Sequence, residues 1–248
     1  VNDLSDYSSW EFLLDGDAQD FRSLSEKPGT SYFNIYGGID HWNDCRNDDF
    51  RMTTIYCEGE SDPAVIWQIG YELLSFFNGA SALFRYGYQK ASINTILYDG
   101  KQLDYVAPMP VRALLGPASI SRHQINEQIK KSAKSSPRFP LLHLATENED
   151  VSIILKYLDM EHGWVTYYKL LEAVEGFAKA KGVNLGIDKS ARTAFTNTAN
   201  NSSLSGFDSR HGFKEVVKEN KTKAMSLHEA HEFIFGVIKS FLTKANFK

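Results

Sequence analysis

Three prolines, at positions 108, 110 and 117, separate a stretch that alternates strand and helix patterns from a stretch that reads as helix alone. Proline fixes φ and removes a backbone donor, so a cluster of prolines interrupts regular structure and marks a change of architecture. Before the cluster, Trp10 to Leu14 reads as a short strand, and the following DAQDFRSLSEK places Phe21 and Leu24 at helical spacing. Ser31 to Tyr36 and Arg51 to Tyr56 are rich in aromatic and β-branched residues, which predicts two strands joined by the turn-like, acidic GGIDHWNDCRNDD. A helix then starts on the N-cap Asp62, with Pro63 in its first position, and is expected to end near Asn78-Gly79. INTILYDGKQLDYVA predicts a hairpin, because Asp99-Gly100 suits the type I′ turn that matches strand twist.

After the prolines comes SRHQINEQIKKSAKSSPRFP, with Arg122, Lys130, Lys131, Lys134 and Arg138 against a single Glu127. Helical patterns follow over Glu147 to Met160, His162 to Lys181, Lys189 to Asn197 and Ser226 to Thr243, the last opened by a capping box of Ser226 and Glu229. The fold expected is therefore α+β: a mixed α/β N-terminal domain over 1–117, a basic junction over 118–145 and an all-helical domain over 146–248. A length of 248 residues, 42% of them hydrophobic, suffices for a buried core. No apolar run reaches the ~18–20 residues that span a bilayer, and the opening residues lack the layout of a signal peptide, so a cytoplasmic chain without a membrane partner is expected. Cys45 and Cys57 are then expected to stay reduced.

Charge is distributed unevenly. Residues 1–120 carry 8 Lys and Arg against 17 Asp and Glu, whereas residues 121–248 carry 19 against 14, so the halves stand at −9 and +5. That split suits nucleic-acid contact through the second half, and equally suits a protein partner of opposite sign.

The motifs that would name a common enzyme class are absent: there is no P-loop, no G-x-G-x-x-G after a strand and no G-x-S-x-G elbow. HEAHE at 228–232 puts His228 and His231 three apart rather than the four a zinc protease needs, and reads as a polar helix face. Asp40, His41, Asp44, Asp48 and Asp49 offer oxygen and imidazole donors for Mg²⁺ or Mn²⁺, but carboxylates in such a loop are usually solvated, and neither a metal nor a cofactor is expected. Tyr86, Tyr88 and Tyr98 could stack on bases, although aromatics in strand regions belong more often to the core.

Arg210 and His211 are the sharpest chemical signal, adjacent ahead of a loop containing Lys214, Lys218, Lys221 and Lys223. Arg presents a permanently charged planar fork for phosphate, and His exchanges protons near neutrality, so the pair has the chemistry for metal-independent RNA cleavage. The structural alternative is that Arg210 pairs with Asp208 or Glu215 and His211 caps a loop.

FTNTANNSSLSGFDSRHGF followed by MSLHEAHEFI and preceded by WVTYYKLLEAVEG resembles the C-terminal half of uncharacterised bacterial proteins with HEPN-like helical domains, over about residues 146–245. The resemblance implies an antiparallel helical bundle, often dimeric, of the kind found in RNA-cutting toxins and antiviral defence proteins and in non-catalytic interaction modules. HEPN ribonucleases space Arg and His by four to six residues, whereas Arg210 and His211 are adjacent; only Arg138 and His143 meet that spacing, with Pro140 between them arguing against an uninterrupted helix. Two readings follow. In the first the chain acts on RNA, with Arg210 and His211 catalytic and Lys214, Asn197, Asn200, Arg122, Lys130, Lys131 and Lys134 contacting the substrate. In the second it is a non-catalytic interaction or dimerisation module. The long apolar stripes of 162–181 and 226–243 are the faces expected to bring two copies together.

Overall fold

The computed structural model describes residues 9–40, 42–85, 87–103, 113, 115–116, 119–212 and 223–247. The chain combines an antiparallel sheet with helices, a mixed α+β architecture, and divides into two units, Val1–Glu147 and Asn148–Lys248. No helix among the described residues is long and apolar enough to cross a membrane.

In the first unit, β1 (Trp10–Asp15), β2 (Asn34–Asp40), β3 (Cys45–Thr53), β4 (Ser92–Tyr98) and β5 (Lys101–Leu103) form a sheet of order β2-β3-β1-β4-β5. Trp10, Phe12 and Leu14 alternate into the core, as the period of two requires. Two helices, α1 (Ala18–Ser25) and α2 (Pro63–Phe84), belong to the same unit. Gly70 lets α2 approach the central strand closely, since a Cβ there would fall 2.2 Å from the Phe12 ring. Expectation and structure agree at the β4–β5 turn, where Asp99 and Gly100 take φ of 47° and 74°, the left-handed pair of a type I′ hairpin. Residues 104–107 of that expected hairpin lie outside the described residues.

Three local expectations need correction. The segment read as an acidic loop is mostly hairpin, because β2 runs on to Asp40 and β3 begins at Cys45. Its polar residues are solvated at this end of the sheet, so no alternation betrays the strands, and Gly37 absorbs a break in register at φ 101°. Thr54 caps a single 3₁₀ turn at Ile55–Cys57, which ends the strand expected to reach Tyr56. Helix α2 passes through Asn78-Gly79 to Phe84, because the Asn78 amide is used in a tertiary contact, receiving the Ala91 N–H and donating to the Ala91 carbonyl, both at 2.9 Å.

The basic stretch after the prolines folds as α3 (Arg122–Ala133) and α4 (Arg138–Glu147), both inside the first unit. Pro140 does not interrupt α4, since it occupies the first turn, where backbone N–H groups have no intrahelical acceptor. Arg138 is 11% exposed and grips Asp20, itself 9% exposed, through two nitrogens at 2.6 and 2.9 Å. It also donates to Ser81 and Ser136 at 3.1 and 3.0 Å, and its guanidinium lies 4.7 Å above the Phe77 ring. One cation thus ties α4 to α1 and α2.

The regular elements among the second unit's described residues are all helical: α5 (Glu149–Asp159), α6 (Trp164–Ala180), α7 (Lys189–Asn200), the single turn α8 (Ser202–Ser205) and α9 (Leu227–Lys244). Asn148, Asp188 and the Ser226/Glu229 capping box start α5, α7 and α9. Helix α6 packs against α5, α7 and α9, burying Tyr167, Leu170, Leu171 and Val174. The stripes expected to pair two copies are therefore spent within the unit: Ile234, Val237, Ile238 and Phe241 of α9 are buried as well.

Removing one partner of a buried ion pair leaves an uncompensated charge, so Asp20→Ala should destabilise the chain by about 3–5 kcal/mol in urea unfolding. The double variant Asp20→Ala/Arg138→Met, which removes both charges, should recover much of that loss. Equal loss in the two variants would show that packing, not charge pairing, dominates here.

Candidate functional site

The site is built at the end of α7. Asn201 leaves the helix and accepts a hydrogen bond from Ser203 N–H at 3.1 Å to start the single turn α8. Gly206, at φ 66°, reverses the chain into a 3₁₀ turn over Gly206–Asp208. Arg210 then returns to α7, donating its N–H to the Ala199 carbonyl at 2.7 Å. The Ser209 hydroxyl donates to the His211 carbonyl and braces the corner.

The side chain of Arg210 is directed by α6. Its guanidinium carbon sits 3.9 Å from the centroid of the Tyr168 ring, and Nη2 reaches Glu172 Oε1 at 3.4 Å. A planar cation over an aromatic face is electrostatically favoured, and the single long contact to a half-exposed Glu172 is a weak tether. Of the two acidic partners expected, Glu215 lies outside the described residues, and the carboxylate that Arg210 meets is Glu172, one turn beyond Tyr168 on the same helix face. One further turn along, Glu175 holds Arg192 of α7 at 2.6 and 2.8 Å. His211 is exposed, and among the described residues its imidazole has no hydrogen-bond partner.

Other expected site residues divide between the units. Asn197 and Asn200 are half-buried near the end of α7, and Asn200 Oδ1 is enclosed with no hydrogen-bond partner among the described residues. Arg122, Lys130 and Lys131 are exposed on α3 of the first unit and Lys134 is exposed at its C-cap, with Lys130 bonded to Glu127 at 2.9 Å. Lys214, Lys218 and Lys221, with His41 and Tyr86, lie outside the described residues. Arg138 and His143 do share a helix, yet the Arg138 guanidinium is committed to Asp20 and His143 packs against Tyr32, 5.2 Å between rings, and lies 3.6 Å from Glu147. That pair is core structure.

Three carboxylates of the β2–β3 hairpin, Asp40, Asp48 and Asp49, have structural partners. Asp40 accepts the Trp42 and Asn43 N–H groups at 2.9 and 3.2 Å, Asp48 meets Arg22 at 3.2 Å and Asp49 meets Arg51 at 3.3 Å. Among the described residues no group of three His, Cys, Asp or Glu is arranged to hold a metal ion. Tyr88 donates to Asn78 Oδ1 at 2.8 Å and packs on Phe77, while Tyr98 packs against Trp10 at 4.6 Å and stays 44% exposed.

One cluster escapes any reading by local spacing. His162 Nε2 donates to the Leu158 carbonyl at 2.9 Å, His231 Nδ1 shares a 2.8 Å hydrogen bond with the Tyr167 hydroxyl, and the His231 ring stacks on Phe235 at 3.9 Å. The two imidazoles stand 6.0 Å apart. Burial first, then the neighbouring His162, push the His231 pKa below its ordinary value, with a smaller opposing pull from Glu232. The HEAHE face is therefore polar at His228 but packed at His231.

Compared with models of protein families, with curated proteins and with solved structures, the chain matches none.

A depressed histidine pKa means the folded state binds fewer protons than the unfolded chain near pH 6. The stability held by neutral His231 is complete above the unfolded value of about 6.5 and is lost as pH falls through the lower folded value. Burial lowers His143 in the same direction. Urea midpoints should therefore fall from pH 7 to pH 5, and His231→Gln should make that decline shallower without abolishing it. An unchanged slope would remove His231 from the account.

Proposed function

We propose that the second unit is a HEPN-like helical domain that engages RNA, with Arg210 gripping a phosphate and His211 acting as the acid–base group once RNA is bound. The observation that carries this reading is the posture of Arg210. Its plane is oriented by Tyr168, only one weak contact tethers it, and its side chain remains 36% exposed. An arginine oriented before binding loses less entropy on forming a bidentate phosphate contact than a free surface side chain does. The resemblance to bacterial HEPN-like proteins supports the same substrate class and a role in antiviral defence or stress.

The second reading is a non-catalytic interaction module, favoured by one feature of the first unit. Trp42 is 98% exposed at the β2–β3 turn, close to the exposed Ile39, and such aromatics are enriched among residues that anchor protein interfaces.

Single-stranded RNA should bind the purified chain with a log–log salt slope of about −0.7 per phosphate neutralised. Arg210→Lys keeps the charge but loses the fork, and should weaken binding while costing at most about 1 kcal/mol of stability, since the contact it removes is exposed. His211→Ala should leave affinity intact and reduce any cleavage by about 10²- to 10⁴-fold, with cleavage by the parent chain unaffected by EDTA. A chain that binds no RNA at low salt would return the assignment to the interaction module.

A further inference from the structure

Among the described residues of the second unit Phe207 is the most exposed aromatic, at 98%, and it stands on the 3₁₀ turn that delivers Arg210. Its backbone is anchored on both sides. Asn201 caps the preceding turn, Ser209 N–H bonds to the Gly206 carbonyl at 3.3 Å, and Arg210 N–H bonds to α7. The ring therefore projects from a braced corner rather than from a chain end.

A lone exposed Phe needs no explanation. This one lies three residues from Arg210, whose guanidinium already sits over an aromatic ring, and with consecutive Cα atoms about 3.8 Å apart the two Cα atoms are no more than about 11 Å from one another. A held cation and a bare ring on one short turn supply the two elements by which proteins hold single strands, charge for the backbone and a flat surface for the bases. We propose that Phe207 is a stacking platform for an unpaired base next to the phosphate held by Arg210, so that the site takes single-stranded rather than duplex RNA. The inference rests on the RNA reading of Arg210. In an A-form duplex the base faces are covered by their neighbours, and a protruding ring gains nothing. Stacking is also indifferent to base identity, since every base has a π-face, so the site should show little sequence preference.

The test uses fluorescence anisotropy with the full chain and three labelled probes of about 12 nucleotides, within the range that single-strand binders cover: oligouridylate, the same backbone with abasic riboses, and an RNA duplex. Phe207→Ala should weaken oligouridylate binding roughly 5- to 150-fold, as expected for the loss of one stacked base, with Phe207→Trp restoring it. Neither substitution should alter binding of the abasic strand or the duplex, and thermal melting should be unchanged because the ring contributes no burial. If Phe207→Ala binds oligouridylate like the parent while Arg210→Lys does not, the platform is refuted and the RNA reading stands. Equal weakening for the abasic strand would also refute stacking. If the parent chain binds none of the three probes, the RNA reading and the platform fall together.

Discussion

The first unit depends on the ion pair between Asp20 and Arg138, residues at opposite ends of its sequence. Asp20 stands in the first turn of α1 and Arg138 opens α4, while Ser81 of α2 and the Phe77 ring complete the surroundings of the guanidinium. A pair this buried costs desolvation, which it recovers through two charge-assisted bonds, two serine hydroxyls and an aromatic face. Its structural consequence exceeds its net energy. With the guanidinium buried, α4 has one seat, and the residues that follow the prolines become part of the sheet-bearing unit instead of a strand-to-bundle linker.

The second unit is organised around one helix instead of one pair. Helix α6 buries most of its apolar positions against α5, α7 and α9, and along one edge that is at least partly exposed it carries Tyr168, Glu172 and Glu175. Those positions recur every three or four residues, so they form a row, and each end of the row holds an arginine: Arg210 from the corner and Arg192 from α7. The candidate site is thus a by-product of how α6 packs. Had Tyr168 faced inward, the guanidinium would lose the surface that orients it.

How much of this was legible depends on the range of the interaction concerned. Caps and tight turns are written in a few consecutive residues, and Asp62-Pro63, Asp99-Gly100 and Ser226 with Glu229 each signal their element correctly. The helices of the second unit followed from 3.6-residue periodicity. Two strands are legible on either side of the β2–β3 connection, but the far end of that hairpin reads as a loop because it is solvated on both faces. The pairing of Arg138 with His143 at the spacing of a nuclease motif was misleading for a related reason: spacing says nothing of burial, and Asp20 lies 118 residues away. The stacking of Arg210 on Tyr168 and the meeting of His162 with His231 are likewise contacts between distant segments, which no local pattern encodes.

The adjacency of Arg210 and His211 has a mechanical meaning once the corner is seen. Two residues one or two full turns apart on a helix project from nearby positions on its surface, so both can face one phosphate in the free protein. Adjacent residues on a bend have no such coincidence, and here the Arg210 side chain turns onto α6 while the His211 imidazole stands in solvent. The Ser209 hydroxyl fixes the His211 carbonyl but not its ring. The guanidinium is held by a ring and a carboxylate, whereas the imidazole is held only through its backbone, so the two groups differ in preorganisation. Under the RNA reading, phosphate affinity belongs to the folded chain itself, while proton transfer belongs to the complex, since only a bound strand can bring the imidazole to bear on the group that Arg210 grips.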